Sequence, residues 1–167
     1  HDVIHGQGTS AMELLEDVPD LDVLIVPVGG GGLVAGTALA AHFFSPKTKV
    51  IAAEPLGADD AWQSVQAGKI IPQTNPQTIA DGLRTSLGDK TFPIIRDLVE
   101  RIIRVEEQEI VEAMRLLFER MKLVVEPSGA APLAALLREK EAFAGKKVGL
   151  ILSGGNVDLK SLAMLFG

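Results

Sequence analysis

A chain of 167 residues with 47% hydrophobic content is the size of one compact domain, and its net charge of −6 with a pI near 5.1 argues against nucleic acid or an anionic membrane surface as partner. The absence of cysteine excludes disulfides, thiolate metal sites and cysteine nucleophiles. The most apolar stretch, residues 33–44, is broken by Thr37 and His42 and is too short to span a bilayer; no signal-peptide pattern opens the chain, so a cytoplasmic protein acting on small molecules is expected.

Apolar runs of strand length alternate with segments of helical period, the pattern of an α/β fold on an open, mainly parallel twisted sheet with helices on both faces. In chain order the pattern predicts a helix over residues 8–17, a strand over 21–28 (LDVLIVPV), a helix over 31–44, a strand over 49–54 (KVIAAE) and a helix over 61–67. A strand over 101–105 (RIIRV), helices over 106–122 and 127–140, and a strand over 147–152 (KVGLIL) complete the series. The strands are short, rich in Val and Ile and apolar on both faces, as strands covered on each side must be. Helix 106–122 has the clearest period: Ile110, Met114, Leu117 and Met121 share one face. Glu109, Glu112, Arg115 and Glu119 occupy the other and read as a solvated surface. Residues 68–78 (GKIIPQTNPQT) have the Pro and Asn content of a surface loop.

Four consecutive glycines, Gly29, Gly30, Gly31 and Gly32, follow the first strand and precede a helix. Backbone N–H groups with no Cβ in the way, at the positive end of a helix dipole, form an anion cradle. Two ligands compete for it. Gly30, Gly32 and Ala35 satisfy a loose dinucleotide fingerprint, with Glu54 at the end of the next strand as the ribose acid. Against this, Glu54 runs into Pro55 and an acidic loop, and no triphosphatase GxxxxGK[ST] sequence occurs. A second glycine signal, LILSGGNVD at 150–158, places the Ser153 hydroxyl at the carboxyl end of a strand, so that two loops can grip one ligand at two ends.

At this point the motifs VPVGGGGLVAG, AAEPLGADDAWQS, TIADGL, FPIIRDLVE, ERMKLVVEPSGAA and LILSGGNVDL together resemble the C-terminal half of the pyridoxal-phosphate enzymes of the serine racemase and serine/threonine dehydratase family, of fold type II. The resemblance covers nearly the whole chain, in order. It implies that residues 1–167 are the C-terminal part of a cofactor-binding large domain. It implies further that the amides of Gly29, Gly30, Gly31, Gly32 and Leu33 hold the phosphate of pyridoxal 5'-phosphate and that the Ser153 hydroxyl meets the pyridine nitrogen, with Gly154 and Asn156 beside it. A neutral hydroxyl there, unlike an Asp, does not hold the ring nitrogen protonated. Gly82 matches a loop passing beside the ring, and Glu126 an acid near the cofactor end of the sheet; Glu126 also reads simply as an acid answering the dipole of the following helix.

In the same resemblance EPLGADD binds Mg²⁺ or Ca²⁺ through the carboxylates of Glu54 and Asp60 and the carbonyl of Ala58, the oxygen donors hard cations require. The plainer reading is that Asp59 or Asp60 caps the next helix. His1, His5 and His42 read as structural or solvated, His1 and His5 flanking a loop before GQGT, and Trp62 as a packing anchor. ATP is carried as an activator, a small amino acid as substrate and a homodimer as the assembly.

One departure from the family is large. Its Schiff-base lysine lies well ahead of the tetraglycine loop, yet the 28 residues before Gly29 contain no lysine, so no catalytic residue is assigned within this chain. The first residue is His1, not Met, and the catalytic-lysine segment and small mobile domain are expected to belong to an N-terminal half outside the chain. The activity implied for the whole is racemisation of serine, or deamination of serine or threonine to pyruvate or 2-oxobutyrate and ammonia. The alternative is a nucleotide- or cofactor-binding module without catalysis.

Overall fold

The computed structural model describes residues 2–167, residue 159 through its backbone alone. Strand β1 (Val23–Pro27) is buried along its whole length, because VLIVP carries no polar side chain on either face. It pairs in parallel with β2 (Lys49–Pro55) on one side and β4 (Val148–Leu150) on the other; β3 (Arg101–Val105) adds to β2, giving the order β3-β2-β1-β4.

Alternation along the strands divides the core into two layers. Leu24, Val26, Val50 and Ala52 pack against helices α1 (Asp2–Asp17), α2 (Gly32–Phe44) and α4 (Thr91–Leu98), with α3 (Asp60–Ala67) contributing Ala61. Val23, Ile25, Ile51, Ala53 and Ile103 point the other way, onto α5 (Glu107–Leu116) and α6 (Pro127–Arg138), where α7 (Leu159–Phe166) adds Leu162, Leu165 and Phe166. The expected fold class, a parallel sheet with helices on both faces, is therefore the observed one.

Several elements differ from the sequence pattern. Helix α1 starts at Asp2, so His5 and GQGT lie within a helix and not in a preceding loop; His1 lies outside the described residues. The helix can run through Gly8 because α2 crosses it there: a Cβ on Gly8 would come 2.9 Å from the Gly36 carbonyl oxygen. Helices α4 (Thr91–Leu98) and α7 (Leu159–Phe166) are absent from the sequence pattern. Strands β1 and β4 are shorter than the apolar runs that contain them. The long helix expected over 106–122 is α-helical only as far as Leu116; residues Leu117–Met121 form a π-helical turn ending in Lys122 at φ +60.

The connections explain where a ligand can sit. From β1 the chain steps outward through α2 to β2, then through α3 and α4 to β3, and returns across the opposite face through α5 and α6 to place β4 beside β1. After β1 the chain turns to one face and after β4 to the other, so a crevice opens between their carboxyl ends. The tetraglycine loop and Ser153 follow these two strands.

Candidate functional site

The loop from Gly29 to Gly32 is locked from outside. Gly31 occupies the left-handed region at φ +88, which glycine alone enters freely, and stands as N-cap of α2 with no side-chain cap. The first amides of α2 therefore have neither an intrahelical acceptor nor a capping oxygen, which is the arrangement a phosphate completes. Thr91, at the start of α4, donates its hydroxyl to the Gly30 carbonyl at 2.9 Å, which ties the loop to α4. This fits an anion of the cofactor's kind.

A second loop packs directly beneath. Gly82 sits in a 3-10 turn, Asp81–Leu83, and its N–H donates to the hydroxyl of Ser128, a buried residue of α6, at 3.1 Å. Its carbonyl oxygen lies so near Gly29 that a Cβ there would approach to 2.9 Å. Gly29 and Gly82, distant in sequence, are thus in backbone contact, and any side chain at Gly29 would separate them. Ile79 N–H donates to Glu107 at 2.7 Å, which fixes the entry to this loop.

Glu126 is the N-cap residue of α6 but makes no side-chain cap. Its carboxylate instead accepts the Asn156 N–H at 2.8 Å, while its own N–H donates to the Gly154 carbonyl at 3.1 Å. A Cβ on Gly154 would come 2.7 Å from the Glu126 carboxylate, so glycine at 154 is what allows this clasp. Glu126 thereby ties the loop after Ser153 to the start of α6, and Ser153 itself is exposed beyond β4. Asn156 joins Ile79, Asp81, Pro127 and Asp158 in lining a cavity of about 340 Å³ at this end of the sheet.

Glu54 and Asp60 are both buried, at 1% and 3% exposure. Glu54 accepts the N–H of Ala61 at 2.8 Å and that of Trp62 at 2.9 Å, so the cap of α3 comes from the end of β2 and not from Asp59, which makes no side-chain cap. Burial, reinforced by the charges of Asp60 and Asp59, pushes the Glu54 carboxyl up to about 8 against the lowering effect of the two amides. Burial likewise pushes Asp60 up to about 6, although it accepts the Leu87 N–H at 3.2 Å. Glu54 and Asp60 thus offer carboxylate oxygens on one short loop, and the neighbouring Ala58 is buried. A divalent cation suits such a donor set, because it offsets the cost of ionising two buried acids side by side. Both Glu54 oxygens face α3, whose first amides they accept, and this arrangement does not favour a ribose in the crevice as its partner.

The sequence pattern does not mark Thr91, Ser128 or Glu107. Thr91 and Ser128 act on residues 61 and 46 positions away, and their only local signal is a hydroxyl at the first turn of a helix. His42 stacks edge-on with Phe43 at 5.0 Å, away from the crevice. Among the described residues no helix is long and apolar enough to cross a membrane.

Residues 1–154 match the family model described as "Pyridoxal-phosphate dependent enzyme". The serine racemase of Arabidopsis thaliana is 53% identical over 167 residues, an alignment covering 96% of this chain and 50% of that protein. The L-threo-3-hydroxyaspartate ammonia-lyase of Saccharomyces cerevisiae is 54% identical over 98% of this chain and 51% of its own length. Among solved structures, maize serine racemase superimposes with a TM-score of 0.91 at 50% identity, over 98% of this chain and 51% of that one. The processed form of threonine deaminase isoform 2 from Solanum lycopersicum gives a TM-score of 0.92 at 31% identity, over 98% of this chain and 46% of that one. The chain spans about half the length of the curated relatives it matches. An uncapped glycine cradle at the switch point of a parallel sheet is the local geometry, and the match over nearly all of the sequence gives it a lineage: the chain belongs to the pyridoxal-phosphate dependent enzyme family.

Proposed function

We propose that this chain is the C-terminal part of the large domain of a pyridoxal-phosphate enzyme that racemises serine or deaminates serine or threonine to pyruvate or 2-oxobutyrate and ammonia. The observation that carries the reading is the uncapped N-terminus of α2 behind Gly29, Gly30, Gly31 and Gly32, opening beside the loop that bears Ser153. Relatives named serine racemase and hydroxyaspartate ammonia-lyase, both at or above 50% identity, favour a β-hydroxy amino acid as substrate. When bound, the cofactor supplies an electron sink for the charge left by breaking a bond at the substrate Cα.

The chain's own residues divide the remaining work. The amides from Gly29 to Leu33 hold the phosphate without a counter-charge on a side chain. Gly82 gives the ring room by having no side chain, held in place through Ser128. The Ser153 hydroxyl orients the ring nitrogen without fixing a proton on it, and Glu126 keeps the residues after Ser153 in register. The nine lysines are all exposed, whereas a Schiff-base lysine works from a desolvated pocket, which supports placing that lysine in an N-terminal half. A homodimer, an ATP activator and a cytoplasmic setting complete the reading.

Borohydride reduction with pyridoxal phosphate, read by intact mass, tests it. The 167-residue chain is expected to give no stoichiometric adduct, and the polypeptide that includes the N-terminal half a single one, together with pyruvate and ammonia or D-serine from L-serine. A chain that binds NAD and not pyridoxal phosphate overturns the reading.

The Glu54, Ala58 and Asp60 loop is proposed as the Mg²⁺ or Ca²⁺ site. A cation at a hundredfold excess over its Kd stabilises the folded state by about 2.7 kcal/mol, on the order of 5–10 °C in melting temperature for a chain of this size. Glu54→Gln keeps an acceptor for α3 but removes a charge, and is expected to abolish that shift in a calorimetric melt.

A further inference from the structure

We infer that Arg104 is a positioning residue for the cation loop, holding Asp59 out of the site so that Asp60 and Glu54 are the carboxylates left to meet a divalent ion. The assignment rests on the proposed reading of Glu54, Ala58 and Asp60 as a Mg²⁺ or Ca²⁺ site. Two adjacent aspartates pose a sorting problem, since either could supply the ligand oxygen. The structure resolves it through one guanidinium. Arg104 Nη1 donates to Asp59 Oδ2 at 2.8 Å, and the other Asp59 oxygen accepts the Gln63 side-chain amide at 2.6 Å. Both oxygens of Asp59 are therefore engaged on the outer side, whereas Asp60 lies buried.

The same guanidinium covers the Trp62 ring, its carbon 3.7 Å from the ring centroid. Trp62 is also the residue whose backbone N–H donates to Glu54. Arg104 thus grips the residue before Asp60 and the residue two after it, and through Trp62 it steadies Glu54 as well. Sheet register brings it there: Arg104 on β3 is the cross-strand partner of Glu54 on β2. Its side-chain ion pair is nonetheless with Asp59. A planar fork that can pair and stack at once suits this task better than an ammonium.

Electrostatics and positioning predict opposite signs. Removing a positive charge beside a cation site should tighten cation binding by Coulomb's law alone. Loss of an outer support for a metal ligand typically weakens affinity by about 10–100-fold. Calcium titrations of the 167-residue chain by calorimetry decide between them. Arg104→Met is expected to weaken Ca²⁺ binding about tenfold, Arg104→Lys to recover part of that loss, and Trp62→Leu, which changes no charge, to weaken it in the same direction. Unchanged or tighter binding in Arg104→Met, or in Trp62→Leu should the first variant not fold, overturns the assignment. A wild-type chain that takes up neither Ca²⁺ nor Mg²⁺ overturns the cation reading itself, a separate failure visible before any variant is made.

Discussion

Replacing Gly36 with alanine is expected to cost the chain about 3 kcal/mol, the upper end of what overpacking a tight site exacts and a large fraction of a typical domain's stability. A Cβ at Gly36 would lie 2.4 Å from the Ile4 carbonyl oxygen and 2.6 Å from the Gly8 nitrogen. Both are backbone atoms of α1, so no rotamer change relieves the overlap and the two helices must separate. That separation would strip contacts from Ile4, Ala11 and Leu15, which α1 buries against α2 and the sheet. Gly6→Ala, within the same helix α1, is the control. Nothing lies within 4 Å of a Cβ there, so the gain in helix propensity should raise stability by about 0.5–1 kcal/mol. Urea midpoints followed by circular dichroism measure both; equal midpoints for the two variants would refute a backbone-to-backbone crossing.

Gly31→Ala should weaken pyridoxal phosphate binding at least about tenfold, measured by equilibrium dialysis on folded protein, because the left-handed conformation alone costs a non-glycine residue about 1–2 kcal/mol. In addition, the new Cβ would meet Thr91 Oγ1 at 2.7 Å and Ile95 Cδ1 at 2.8 Å. Relief requires the loop to move off α4, which breaks the Thr91 bond to Gly30 and re-aims the amides at the start of α2. Gly68→Ala separates the two effects. Gly68 also has positive φ, +67, as the C-terminal cap of α3, but its Cβ would point into open space. It should lose about 1 kcal/mol of stability and bind pyridoxal phosphate as the wild type does. A Gly31→Ala protein with wild-type affinity would mean that the phosphate is held elsewhere.

How far the site can be read from sequence depends on whether its parts are local. The strand, tetraglycine loop and α2 are contiguous, and composition changes sharply at each boundary, so their positions are legible and the phosphate role proposed for the loop is a local reading. Helix α4 is not: its eight residues hold Pro93, and Phe92 and Ile95 alone form its buried apolar face, too short a run to establish a period. Helix α7 carries a start signal that its shortness hides, since Asp158 accepts from the amides of Lys160 and Ser161 as an N-cap does. The π-helical turn at Leu117–Met121 leaves almost no trace, because adding less than one residue per turn barely shifts the apolar positions of α5. The cap on α3 escapes for another reason: the residue that supplies its oxygens, Glu54, is seven residues upstream on a strand, whereas sequence rules look for a cap next to the helix. Arg104, Trp62 and Asp59 meet only through sheet register, which a single sequence does not display.

The strand order also bears on how the molecule comes into being. Strand β1, the most deeply buried, pairs on one side with β2, the next strand in sequence, but on the other with β4, far along the chain; the bond between Asp22 and Lys147 beside that pair closes over 125 residues. Helices α2 through α6 lie between the two strands in sequence, so β4 reaches β1 only after all of them have been made. Closing so long a loop carries an entropic cost before the β1–β4 contacts repay it, which is the non-local kind of assembly that slows parallel sheets. The crevice proposed for the cofactor lies at this same β1–β4 seam, so on that reading the ligand site forms in the step that docks β4 on β1.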